Sequence, residues 1–134
     1  MMSVQSITVV DALASLGSGK GEIERQLAEF GLGIVYSLEQ GETSIEQAER
    51  DLFNLETYNA AKRNRLTRQL IEFLQWGMEL DDVRELAPEG LPESYGKMKR
   101  LARRVIAQSL AKSLSVRAKR KAIASNPVRT SRGR

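Results

Sequence analysis

Apolar residues recur at helical spacing along most of the chain. In "EIERQLAEFGLGIVYSLEQ", Ile23, Leu27, Phe30, Ile34 and Leu38 are separated by four, three, four and four residues, one stripe of an amphipathic helix. Glu22, Glu24, Arg25 and Glu29 fall off that stripe. Gly31 and Gly33 weaken a helix unless they mark a break or a close approach between helices. Gly41 predicts the stop. "GETSIEQAERDLFN" then carries a capping signature, Thr43 with Glu46 or Ser44 with Gln47, ahead of the apolar face Ile45, Ala48 and Leu52.

A helical turn beginning at or just after Thr57 and three more helices follow. "RLTRQLIEFLQWGMEL" places Leu66, Leu70, Phe73 or Leu74, and Gly77 or Met78 on one side. Leu80, Val83 and Leu86 predict a short helix that must end near Pro88, because proline disfavours a helical residue before it. Pro92 suits the first turn of the last helix, whose stripe runs Tyr95, Met98, Leu101 or Ala102, Val105 or Ile106, and Leu110. Beyond Leu114 the spacing fades. Only residues 4–10 alternate weakly in the manner of a strand. The pattern predicts an all-α fold, a small bundle of about five helices: an N-terminal extension at 1–21, a helical domain at 22–114, and a basic, flexible tail at 115–134.

Charge sharpens that division. The chain of 134 residues has a net charge of +4. Residues 1–96 hold 8 Lys and Arg against 17 Asp and Glu, whereas residues 97–134 hold 13 basic residues and no acid. Such asymmetry predicts a tail that meets something anionic or folds onto its own body. Lys97, Lys99, Arg100, Arg103 and Arg104 fall on the last helix, and Lys112, Arg117, Lys119, Arg120, Lys121, Arg129, Arg132 and Arg134 continue the charge. These residues are the candidates for a polyanion, nucleic acid above all, whose binding would weaken steeply with salt. An anionic membrane surface is a further alternative, poorly served by the apolar face past Leu114. No aromatic follows Tyr95, so base stacking has no platform there.

The chain has no cysteine and no histidine. Their absence removes thiolate metal sites, Ser-His-Asp and Cys-His chemistry and the side chain that most often moves protons near neutral pH. No nucleophile, base and orienter come together in sequence, so no enzymatic activity, cofactor or metal is expected. "LGSGKGE" fails as a phosphate loop: Ala14 stands where the first glycine is needed, and Gly21 replaces the magnesium-binding hydroxyl. No basic leader precedes a long apolar run and no stretch is long enough to span a bilayer, so a cytoplasmic protein is expected.

The densest acidic run is "MELDDVRE", with Glu79, Asp81, Asp82 and Glu85. Asp81 and Asp82 suit a helix start, where the macrodipole favours negative charge. Beyond that role they suit a basic partner surface. Trp76, the single tryptophan, is either core or a binding anchor. Glu46, Glu49 and Asp51 add exposed acids from the second helix.

"SLEQGETSIEQAERDLFN" and "LIEFLQWGMELDDVRELAPEGLPESYGKMKRLA" resemble an uncharacterised family of small all-α bacterial proteins, a domain of unknown function, over about residues 22–106. The resemblance implies an immunity-type role, in which the protein neutralises a cognate toxin domain by stoichiometric occlusion. Glu46, Glu49, Asp51, Trp76, Glu79, Asp81, Asp82 and Glu85 are then the expected contact residues. A nucleic-acid-binding accessory role through the basic tail is the alternative.

Overall fold

Local hydrogen bonding sets most of the element boundaries. The computed structural model describes residues 8–125, and among them it contains helices and no strand. Helix α1 (Val9–Ser15) starts at Thr8, whose hydroxyl accepts from the Asp11 amide at 3.1 Å. Gly17, at φ +84°, turns the chain out of it. Helix α2 (Lys20–Glu39) ends in a two-bond cap: Glu42 N–H donates to the Ser37 carbonyl at 2.8 Å and Gly41 N–H to Leu38 at 3.2 Å. Gly41 sits at φ +73°, the left-handed conformation such a cap requires.

Of the two capping hydroxyls, Ser44 is the one used. It accepts from Gln47 N–H at 3.0 Å and opens α3 (Ile45–Asp51). Helix α4 (Leu55–Arg63) begins two residues before Thr57, because the Asn54 side chain accepts from Thr57 N–H at 2.8 Å. Helix α5 (Arg68–Met78) is followed by α6 (Leu80–Leu86) and a 3-10 turn at Pro88–Gly90. Helix α7 (Leu91–Ser125) has 35 residues, about 52 Å at 1.5 Å per residue.

The core lies where α7 packs along α2 and α5. Leu27, Val35, Leu52, Leu70, Leu74, Met98 and Val105 are fully buried there. Phe53 and Phe73 meet edge to face, with ring centroids 5.6 Å apart. Each ring lies over a glycine within a helix, Phe73 over Gly31 of α2 and Phe53 over Gly77 of α5. A Cβ on Gly31 would stand 2.4 Å from Phe73, and one on Gly77 would stand 2.4 Å from Phe53. Of the two α2 glycines, Gly31 marks the close approach, and Gly33 has open space beside it.

The placements of Phe30, Leu86, Leu110 and the end of α7 differ from the pattern, Leu110 being 46% exposed. Phe30 is 45% exposed, and Gly31, Val35 and Ala28 join the buried stripe in its place. Leu86 is 85% exposed, so only Leu80 anchors α6 fully. Helix α7 runs unbroken to Ser125, through residues 115–125 where fading amphipathicity predicts a mobile tail. Its residues from Ala111 onward are exposed as far as Ala122, so no apolar stripe is needed there, and Ala, Leu, Lys and Arg are good helix formers. Inside the expected N-terminal extension, α1 packs on α2 and α4 with Val10 buried.

Candidate functional site

The acidic face is assembled around one arginine. Arg84, on α6, donates to Glu46 Oε2 of α3 at 2.7 Å and to Asp81 Oδ1 on its own helix. These contacts bring Asp81 to the α3 carboxylates across the α3–α6 contact. The Arg84 hydrogen bond holds the Glu46 carboxyl below its ordinary value, and the paired carboxylates hold Arg84 above its own. Glu49 is pushed the other way, chiefly by burial and then by the charges of Asp81 and Glu46.

Beside the cluster, Glu46, Glu49, Asp51 and Glu56 line an open cleft of about 480 Å3, with Arg50 as its one basic wall. Asp51 is held by the Gln47 amide at 2.8 Å. Glu79, Asp82 and Glu85 are exposed. Residues 45–56 and 79–86 together contain eight carboxylates against Arg50 and Arg84, a net charge of −6. No three acids among the described residues converge closely enough to hold a metal ion. The arrangement is a negatively charged surface with one internal cross-link.

Trp76 is half-buried and packs on the core, with Lys97 Nζ 5.8 Å from its ring centroid. It is therefore engaged with α7. Arg84, the organiser of the acidic face, and Glu56 lie outside the residues that the sequence pattern singles out. Arg84 had a signal, since it follows Asp81 by three residues, the spacing at which opposite charges meet on a helix. The spacing predicts Glu24 on the polar side of α2, yet it is buried. Its Oε2 accepts from the Thr67 backbone N–H at 2.6 Å, beside the start of α5.

The basic residues of α7 divide into two groups. Lys99 pairs with Glu39 at 2.8 Å and lies over the Tyr36 ring. Arg103 also lies over Tyr36 and donates to its hydroxyl. Lys97, Lys99 and Arg103 thus face the body. Arg100, Arg104, Lys112, Arg117, Lys119 and Arg120 make no ion pair among the described residues. Arg129, Arg132 and Arg134 lie outside the described residues. Among the described residues no helix is long and apolar enough to cross a membrane.

The profile of a family described as "Protein of unknown function (DUF3969)" matches residues 18–120, and the chain belongs to that family. The match takes in α2 through α6 and the basic part of α7 as far as Arg120. No curated protein and no solved structure matches the chain.

Proposed function

We propose that this DUF3969 member is a non-enzymatic binding module of immunity type, which covers a basic surface of a cognate bacterial toxin with the face formed by α3, the start of α4, and α6. The observation that carries the proposal is the Arg84 cross-link. It ties Glu46 of α3 to Asp81 of α6, within two segments, residues 45–56 and 79–86, whose combined net charge is −6. A preorganised acidic surface steers a basic partner into encounter and disfavours acidic competitors. The carboxylates that make no cross-link, Glu79, Asp82 and Glu85, are exposed and contribute to steering. Trp76 contributes less to contact than to the seam between α5 and α7, given its Lys97 cover.

The lack of histidine and cysteine supports occlusion over catalysis, since the usual proton carriers and nucleophiles are missing from the whole chain. Coexpression tests the role. The products of adjacent genes are expressed singly to find one that arrests growth, and this protein is then supplied with it. Rescue by the wild type, lost on Glu79→Lys, Asp82→Lys and Glu85→Lys combined, is expected. Rescue indifferent to those changes removes the acidic face from the account, and no toxic neighbour removes the immunity role.

A further inference from the structure

The stripe of α7 that packs into the body continues past the point where the apolar core ends. Met98, Ala102 and Val105 are buried, and the same three-to-four spacing leads on to Ser109, Lys112, Val116 and Arg120. Ser109 Oγ donates to the Gly21 carbonyl at 2.8 Å, which fixes the stripe against the first turn of α2. From there an open groove of about 590 Å3 runs between the start of α2 and the exposed length of α7.

Arg25, Lys112, Arg117 and Arg120 line this groove, with Glu22 as its one carboxylate. Glu22 accepts from the Gln26 amide at 3.3 Å, and Arg25 stands 3.6 Å from Glu29 on the helix surface. Lys112, Arg117 and Arg120 make no ion pair with any described residue. The positive end of the α2 dipole, capped by Gly19 without a side-chain bond, adds charge of the same sign. The folded chain therefore gathers cations on both walls of a groove and leaves most of them without an internal counter-charge, an arrangement that an external polyanion relieves.

We infer that this groove binds the phosphate backbone of duplex nucleic acid. Three features of its walls select that partner. The cations lie along a concave trough, which admits a phosphate ridge and which a flat bilayer does not enter. Of the exposed apolar residues of α7 that a membrane surface would need, Leu110 and Leu114 do not line the trough, and Val116 there stands among Arg25, Lys112, Arg117 and Arg120. No aromatic side chain lines it, so single strands gain no stacking there. Recognition rests on phosphate charge alone, and binding is independent of sequence. The surface is separate from the α3–α6 acids, so either can fail without the other.

Fluorescence anisotropy of a labelled mixed-sequence DNA duplex with the full chain tests this. Neutralising about four phosphates predicts binding that weakens on the order of a hundredfold for a fourfold rise in salt. Lys112→Glu, Arg117→Glu and Arg120→Glu combined should abolish binding while the helical circular dichroism is retained, because all three side chains are exposed. Substituting Arg129, Arg132 and Arg134 by serine should leave most of it. The inference is overturned if the duplex does not bind at low salt. It is equally overturned if the charge-reversed protein binds as well as the wild type, or if the serine substitutions alone abolish binding. Capture by phosphatidylserine vesicles with no duplex binding overturns it in favour of a membrane. Salt-sensitive oligomers with no duplex binding overturn it in favour of a second copy, whose acidic face would fill the groove.

Discussion

Glu24 and Thr67 are 43 residues apart, and the Glu24 carboxylate accepts the Thr67 backbone N–H at 2.6 Å. One buried acid of α2 thereby fixes the entry of α5, the helix that carries Phe73 into the core. The N-terminal end of a helix favours a negative charge, and the Thr67 hydroxyl makes no cap of its own. Removing the acceptor strands a backbone donor that loses about 1–3 kcal/mol when left unsatisfied. Glu24→Ala is expected to lower the denaturant midpoint by an amount in that range. Glu24→Gln, which keeps an acceptor oxygen, should lose less. Equal losses would show that packing, and not the hydrogen bond, is what the residue supplies.

Three glycines in helices predict three different outcomes on replacement by alanine. At Gly77 a Cβ meets the root of the Phe53 ring at 2.4 Å, and the ring cannot swing its Cγ away. At Gly31 the clash is with the outer edge of Phe73 at 2.4 Å, which gives way more readily. Gly33 has nothing within 4 Å. Gly33→Ala is expected to stabilise by about 0.5–1 kcal/mol through helix propensity. Gly31→Ala should destabilise by about 1–3 kcal/mol through overpacking, and Gly77→Ala by more. Thermal melts of the three variants give the order directly.

The acidic cluster predicts a split between two neighbouring titrations. Carbon-detected NMR should place the Glu46 carboxyl below the ordinary 4.5 and the Glu49 carboxyl above it. Glu46 is depressed in the folded state, so its stabilisation is present above the ordinary value and is lost as pH falls through the folded one. Glu49 is raised, so its burial favours the folded state below the ordinary value, and that advantage is lost as pH rises through the folded value. Arg84→Leu removes the cation that lowers both, and both should move upward. A Glu46 titration unchanged by Arg84→Leu contradicts the cross-link.

Much of the bundle is legible in the residues because local bonds act there. Gly41, Ser44 and Pro92 end or start helices through groups that the sequence displays, and the Ile23–Leu27–Ile34–Leu38 stripe is buried as the spacing predicts. Phe30 misleads because hydrophobic spacing cannot see that Gly31 receives a ring from another helix. Glu24 misleads for a related reason, since its partner is a backbone amide far along the chain. The long α7 is hidden because periodicity reports burial and not helicity, and an exposed basic helix has no stripe to read. At the site, the acids are visible as a run, whereas their gathering depends on α3 meeting α6 through Arg84. The groove depends on Arg25 and Lys112 facing one trough from separate helices, a relation that no spacing encodes.

Stopped-flow association with the toxin found by growth arrest, across a range of salt, measures whether the acidic face works by meeting a basic macromolecular partner. The wild-type rate should fall steeply as salt rises, and Glu79→Lys, Asp82→Lys and Glu85→Lys together should slow association at low salt and flatten that dependence. A rate and a salt slope identical in wild type and variant would contradict it.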